Sequence, residues 1–455
     1  MNSIFAIALI SIRNAIRSRI VIVLLLFLVV TLIGLPLTVQ DDGTLAGHVR
    51  LLLRYTLGLA TLILSLATVW AACAAISTEI RDRHIQMVVS KPVHAYQLWL
   101  GKWLGLTALN GALLLLCVAS TYGALRWTTQ PDRLTDEEVT ELKTEIMVAQ
   151  RRIDPRPVDM QEEVAREYRL LRAQGEIPEE MSTREVLPQI ERALKRQANA
   201  VSPGSYTRWT FDVPHAPPAD RPLTLRYRFS LSVLDVETMH GVWTVGKPGT
   251  PDRLQIEVAD APRAWHSVTI PPERICEDGT LTLEYANVHE RPITVIFDAE
   301  DDLRLMVYEG GFLANYARAA LLLFFHLAFL GAIGITAGAF FSIPVAAMTS
   351  FYALLIINAG RFVGRLAERE ATIADPQSGW IAQGMAAVTQ GIYSVLHLVI
   401  RPVYAENPLD FVSIGEWIGW GEVGYMFTVK VICYSGILML LGVWHMSRKE
   451  VALPT

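Results

Sequence analysis

Hydrophobic positions in this chain fall into two regimes. Up to residue 126 and again from 312 they run on with few interruptions, whereas between 127 and 311 they alternate or recur at helical spacing among many charges. Uncharged runs cover 20–39, 55–76 and 103–125. Each is long enough for a helix rising about 1.5 Å per residue to cross a hydrocarbon layer about 30 Å thick. A fourth run, 319–360, has room for two helices, and Pro344 marks the break because proline cannot continue the backbone ladder. Residues 423–446 form another apolar stretch, interrupted by Lys430 alone. The pattern predicts six spans, three on each side of a polar insert.

Two further segments have an intermediate character. Residues 376–400 lack formal charge but are studded with Gln383, Gln390, Thr389 and Ser394, which predicts a helix dipping partway from the outer face. At the other end, Phe5, Leu9, Ile12 and Ile16 fall on one helical stripe while Arg13 and Arg17 lie on another. That pattern predicts an amphipathic helix over 1–19 lying in the interface, and not a cleaved signal, since no small-residue cleavage site comes after the apolar core.

Within the insert, Val139, Leu142 and Ile146 recur at helical spacing, and Pro155, Pro157 and Gly175 interrupt the pattern further along the chain. This predicts a helical, stalk-like region over 127–204. From 205 to 311 the period changes to two: Leu223, Leu225, Tyr227, Phe229 and Leu231 share one face, and Thr224, Arg226, Arg228 and Ser230 the other. The segments 254–258 and 281–285 repeat the alternation, predicting a β-sandwich.

Composition fits this division, with 52% hydrophobic and only 19% charged residues and a mean hydropathy of +0.32. Basic residues set the orientation. Arg13, Arg17 and Arg19 precede the first span, Arg81, Arg83, Lys91 and Lys102 link the second to the third, and Arg448 and Lys449 come after the last. These ends are expected in the cytoplasm, which puts the insert and the 364–420 connection outside, although Arg361 and Arg365 oppose the rule. Cys73, Cys117 and Cys433 lie in spans and Cys276 is alone in the insert, so no disulfide is expected within it.

Catalytic chemistry leaves few signs in the chain. No phosphate-cradling G-x-x-x-x-G-K-[ST] loop is present, the nearest Gly-Lys pairs being Gly101-Lys102 and Gly246-Lys247. The ten histidines show no metal-binding spacing, and there is no G-x-S-x-G elbow. No catalytic, cofactor or metal site is therefore assigned to this chain, and nothing points to nucleic acid.

The most specific stretch is the link between the second and third spans, 79–102. It has a Glu79 closing one helix, the apolar pair Val88-Val89, Ser90-Lys91-Pro92-Val93, an aromatic residue, and Gly101-Lys102 opening the next helix. In these features the chain resembles the permeases of type-2 ABC exporters, in particular the branch labelled multicopper enzyme maturation permeases. A second similarity lies in Ile400-Arg401-Pro402, Asn407-Pro408 and the basic end of the last span. The resemblance covers about 1–125 and 312–450, and leaves out the insert.

The resemblance implies a membrane all-α fold of six transmembrane helices in the type-2 arrangement, into which the pattern of 127–311 inserts an extracytoplasmic α+β domain. Its segments would be an interfacial helix at 1–19, spans one to three within 20–126, the insert at 127–204 and 205–311, spans four and five within 312–363, a connection at 364–420, span six within 421–446 and a cytoplasmic tail at 447–455. It further implies that 79–101 contains a coupling helix docking on a separate ATPase subunit, which would hold ATP and magnesium. Glu79, Arg83, Ile85, Met87, Val88, Val89, Lys91 and Pro92 are the candidate contacts. A second copy of the chain, or a related permease, would complete the path.

Ionisable and polar groups inside spans are candidates for that path, because charge in lipid is costly. They are His326 and Lys430, with Asn110 and Asn358 as polar neighbours in other helices. The expected function is export across, or ATP-driven work on, a bacterial envelope from the cytoplasmic membrane. The alternative is a membrane-anchored scaffold whose β-sandwich recognises carbohydrate or a protein partner.

Overall fold

The computed structural model describes residues 3–38, 45–81, 94–130, 135, 139, 142, 147–157, 159–177, 183–214, 217–218, 221–233, 236–246, 253–276, 278–298, 302–358, 388, 391 and 408–448. Two compact units result: 1–147 with 311–455, and 148–310. The insert is thus a compact unit of its own that interrupts the helical one along the sequence, as the change in hydrophobic period requires.

The helical unit opens with α1 (Ser3–Arg17) and α2 (Arg19–Thr38), bent by 71° at Ser18. Next come α3 (Leu45–Leu51), a π turn over Leu52–Thr56 and α4 (Leu57–Arg81), which together form one long helix, and then α5 (Ala95–Thr128). After the insert, whose helices are α6 (Gln161–Ala173) and α7 (Thr183–Ala198), the chain continues as α8 (Phe312–Phe340) and α9 (Ile343–Asn358). The last elements are α10 (Pro408–Ser413), α11 (Trp420–Met426), a second π turn over Phe427–Tyr434, and α12 (Ser435–Arg448).

Among the described residues, four helices are long and apolar enough to cross a membrane: Gly47–Thr78, Ala95–Thr128, Phe312–Phe340 and Trp420–Arg448. The bent α1–α2 pair makes a fifth, and the apolar α9 is shorter at 16 residues. The break between α8 and α9 falls at Phe341 and Ser342, just before Pro344, as its ring geometry predicts. The dipping helix expected over 376–400 lies outside the described residues apart from Val388 and Gly391.

Helix α8 is the centre of the bundle, with twenty buried residues including Leu327, Leu330, Ala332 and Ile335. Glycines let its neighbours approach. A Cβ at Gly334 would stand 2.5 Å from the Cβ of Ala72, and one at Gly338 2.6 Å from the carbonyl oxygen of Cys73, so α4 packs backbone to backbone against this face. Gly101 and Gly105 of α5 receive α1 in the same way, through Ile7 and Ala8. Helix α1 therefore buries its small residues Ser11 and Ala15, while the predicted apolar stripe leaves Phe5, Leu9 and Ile16 exposed.

The inserted unit is built on two four-stranded sheets. One has the order β1 (Val148–Ile153), β11 (Leu303–Gly311), β4 (Leu223–Tyr227), β8 (His266–Ile270). The other runs β3 (Tyr206–Asp212), β9 (Thr280–Asn287), β6 (Met239–Val245), β7 (Leu254–Asp260). A third, small sheet joins β2 (Ala200–Val201), β10 (Val295–Ile296) and β5 (Ser230–Leu231). Inward residues of both large sheets form one core in which Trp243 touches Tyr227 and Tyr285, each at 5.0 Å between ring centroids, and Phe297 at 5.9 Å.

Helices α6 and α7 pack on one another through Val164, Val186 and Ile190. The region predicted as wholly helical, 127–204, differs in one respect: Val148–Ile153 is a strand paired beside β11, and Ala200–Val201 is another. Val148 and Ala149 are buried on that sheet, and so tertiary pairing overrides a local pattern too short to show a period of two.

Candidate functional site

Lys430 sits on the π turn of the last span and is 6% exposed. The π turn widens the helix by one residue, and the Ser435 hydroxyl donates to the Lys430 carbonyl oxygen at 2.8 Å, across that wider turn. His326 is carried by α8, the helix that packs against this π turn. Aromatic contacts brace the pair: Phe325 meets Phe427 at 5.3 Å, and Phe329 meets Tyr434 at 5.9 Å. Among the described residues no carboxylate pairs with Lys430. The structure thus places two of the four polar groups singled out in the spans on elements packed against one another.

The other two stand differently. Asn110 on α5 is 6% exposed, and its amide nitrogen has no hydrogen-bond partner among the described residues. Thr107, one turn away, has a buried hydroxyl in the same condition. Buried polar atoms left without partners are costly, and a face that keeps them is suited to water or a polar ligand. Asn358 is exposed and donates to the Leu354 carbonyl of its own helix at 2.8 Å, which is a local bond and builds no site.

For the link between α4 and α5, the structure describes the frame and not the segment. Arg83, Ile85, Met87, Val88, Val89, Lys91 and Pro92 lie outside the described residues, and Glu79 is described only as a backbone position near the end of α4. The chain resumes at His94, whose backbone N–H donates to the Gln97 side chain at 3.1 Å and so caps α5.

That frame is cross-braced by side chains of α4, α5 and α8. Lys102, 3% exposed, donates to the Ala75 carbonyl at 2.6 Å, linking α5 to α4. Trp99 donates to Thr336 at 3.2 Å, and Thr336 to the Leu438 carbonyl at 3.1 Å, tying α5, α8 and α12 in series. Ser77 donates to the carbonyls of Gly338 and Phe341 at 2.8 and 3.2 Å. In the sequence this frame is signalled by the Gly101-Lys102 pair and by the four-residue spacing of Gly101 and Gly105 and of Gly334 and Gly338.

The opposite end of α8 carries a second clamp. Asn315 donates to the Glu416 carbonyl at 2.7 Å and accepts from the Ile418 N–H at 2.8 Å. Arg318 is buried, donates to the Ile418 carbonyl and lies 5.6 and 5.5 Å from the ring centroids of Trp417 and Trp420. Both residues fix the 416–418 turn that leads into the last span. Neither could be singled out from sequence, because their partners are backbone atoms about a hundred residues away.

Comparison with protein families, with characterised proteins and with solved structures returns no match at a significant level.

Proposed function

We propose that this chain is the membrane-spanning subunit of an ATP-driven exporter with six spans in the type-2 arrangement, working as a pair of subunits above two separate ATPases in a bacterial cytoplasmic membrane. The observation that carries the reading is the cross-braced frame around the 82–93 link. A push delivered between α4 and α5 meets Lys102, Ser77 and Trp99, and through Thr336 it reaches α8 and α12. Helices tied in this way move as packed bodies, which is what conversion of nucleotide-driven closure into helix movement demands.

In this reading the coupling contacts are Glu79, Arg83, Ile85, Met87, Val88, Val89, Lys91 and Pro92. ATP and magnesium are held by the partner. The substrate path runs past Lys430, His326 and Asn110, and its buried cation fits an anionic group on the cargo. The test is to co-purify the chain with the ATPase encoded beside it and measure ATP turnover in lipid. Complex formation, with turnover reduced about tenfold or more by Met87→Glu or Pro92→Ala, is the expected result. Absence of a complex, or turnover indifferent to both changes, overturns the reading.

A further inference from the structure

Arg318, in the second turn of the span Phe312–Phe340, carries more charge than its place in the fold requires. It is 8% exposed, and its guanidinium is held by the Ile418 carbonyl and by the rings of Trp417 and Trp420. Its Nε is buried and has no hydrogen-bond partner, and among the described residues no carboxylate pairs with it. A neutral side chain is enough to fasten the same turn, as the Asn315 amide does at Glu416 and Ile418. A guanidinium buried here costs free energy that a carbonyl and two indoles offset only in part, and an anion would offset the rest.

The surroundings tell which anion fits. Helix periodicity lines up Leu313, Ala314, Ala317 and Leu321 along the side of α8 that borders Arg318, and all four are exposed, the two leucines at 57% and 37%. Trp420, over whose ring the guanidinium lies, is 64% exposed. An indole with an apolar body and a polar N–H is at home where lipid meets water. A cation at the head of an apolar stripe, next to such a ring, complements a molecule with a negative head and a hydrocarbon tail.

We propose that Arg318 holds the phosphate of an anionic phospholipid, whose acyl chains lie along the Leu313 to Leu321 stripe while Trp420 covers the headgroup. The donors left on the guanidinium form charge-assisted hydrogen bonds to the phosphate oxygens. A lone arginine without a carboxylate favours a lipid of net negative charge, such as phosphatidylglycerol, over phosphatidylcholine, whose headgroup brings its own cation. Free phosphate makes no use of the apolar stripe. Because Arg318 also fastens the 416–418 turn, the bound lipid bears on the start of the last span. The site does not depend on the export reading and holds whether or not an ATPase drives the helical unit.

The test titrates the full chain in neutral detergent with phosphatidylglycerol, phosphatidylcholine or soluble glycerol phosphate, counting bound molecules by native mass spectrometry and following the thermal melt. Phosphatidylglycerol is expected to bind about tenfold or more tighter than phosphatidylcholine and to raise the melting temperature, with glycerol phosphate doing neither. Arg318→Gln should abolish that preference, and Trp420→Ala should weaken phosphatidylglycerol binding about threefold or more. Arg448→Gln, which removes the cation over Trp444 at the far end of the last span, should leave it unchanged. The proposal is overturned if phosphatidylcholine or glycerol phosphate binds as tightly, if a folded Arg318→Gln keeps the preference, or if Arg448→Gln weakens binding as much. Trp420 is exposed, so its variant decides the matter even where Arg318→Gln fails to fold, and unchanged binding in Trp420→Ala also overturns the proposal.

Discussion

Glu284 shows how much a single buried charge depends on its neighbours. Its side chain is 9% exposed and accepts from Arg208 at 2.6 Å and from Arg253. Burial pushes the carboxyl pKa up, but the two arginine hydrogen bonds outweigh it and hold the group below the usual carboxylate range. A depressed folded-state pKa means stability that is present above the ordinary carboxylate pKa and lost as pH falls through the folded one. Glu284→Gln is therefore expected to cost about 1–2 kcal/mol at neutral pH and progressively less in acid. Thermal melts of both forms across the acid range check this, and parallel pH profiles would refute it.

Lys430 makes the converse case. A buried cation without a carboxylate among the described residues costs free energy in lipid, and an apolar side chain of similar length removes that cost. Lys430→Met is expected to leave thermal stability in detergent unchanged or to raise it by about 1–3 kcal/mol, while lowering coupled ATP turnover. A clear loss of stability would mean that Lys430 is a structural tie and would remove it from the path.

At the scale of elements, close helix approach is the feature most open to test. A Cβ at Gly338 would press on the Cys73 carbonyl at 2.6 Å, a backbone atom that cannot rotate away, whereas at Gly331 the nearest atoms are at 3.8 and 3.9 Å. Gly338→Ala should destabilise the bundle by about 1–3 kcal/mol and Gly331→Ala by much less, on the same helix and in the same assay. Equal effects would show that helix propensity and not packing decides.

Elements were also what the sequence revealed best. The uncharged run 20–39 became Arg19–Thr38, Pro344 opened a new helix, and the alternation at 223–227, 254–258 and 281–285 became β4, β7 and β9. Long runs and strict alternation carry such signals because burial is repeated along the element. Ties such as Lys102 to Ala75 or Arg318 to Ile418 leave no local pattern, since they join a side chain to a backbone atom of another element. Of the path candidates, His326 and Lys430 stood out as ionisable groups in apolar runs, whereas Asn358 is satisfied within its own helix.

For the whole molecule, the decisive quantity is which side of the membrane each loop faces. Lys102 is buried against α4 and no longer counts as a loop charge, which leaves Arg81, Arg83 and Lys91 in the link, with Arg13, Arg17 and Arg19 before the first span and Arg448 and Lys449 at the end. Basic groups near span ends stay on the cytoplasmic side, and the bias survives the loss of Lys102. In a background with Cys73, Cys117, Cys276 and Cys433 replaced, a membrane-impermeant thiol reagent should label Met87→Cys only in inverted vesicles. It should label Arg263→Cys, on the exposed β7–β8 loop, only from the outside of intact cells stripped of their outer layer. Labelling of Met87→Cys from the outside of intact cells would place the link on the same side as the sandwich, and a nucleotide-driven subunit would then have no access to the link that the export reading requires.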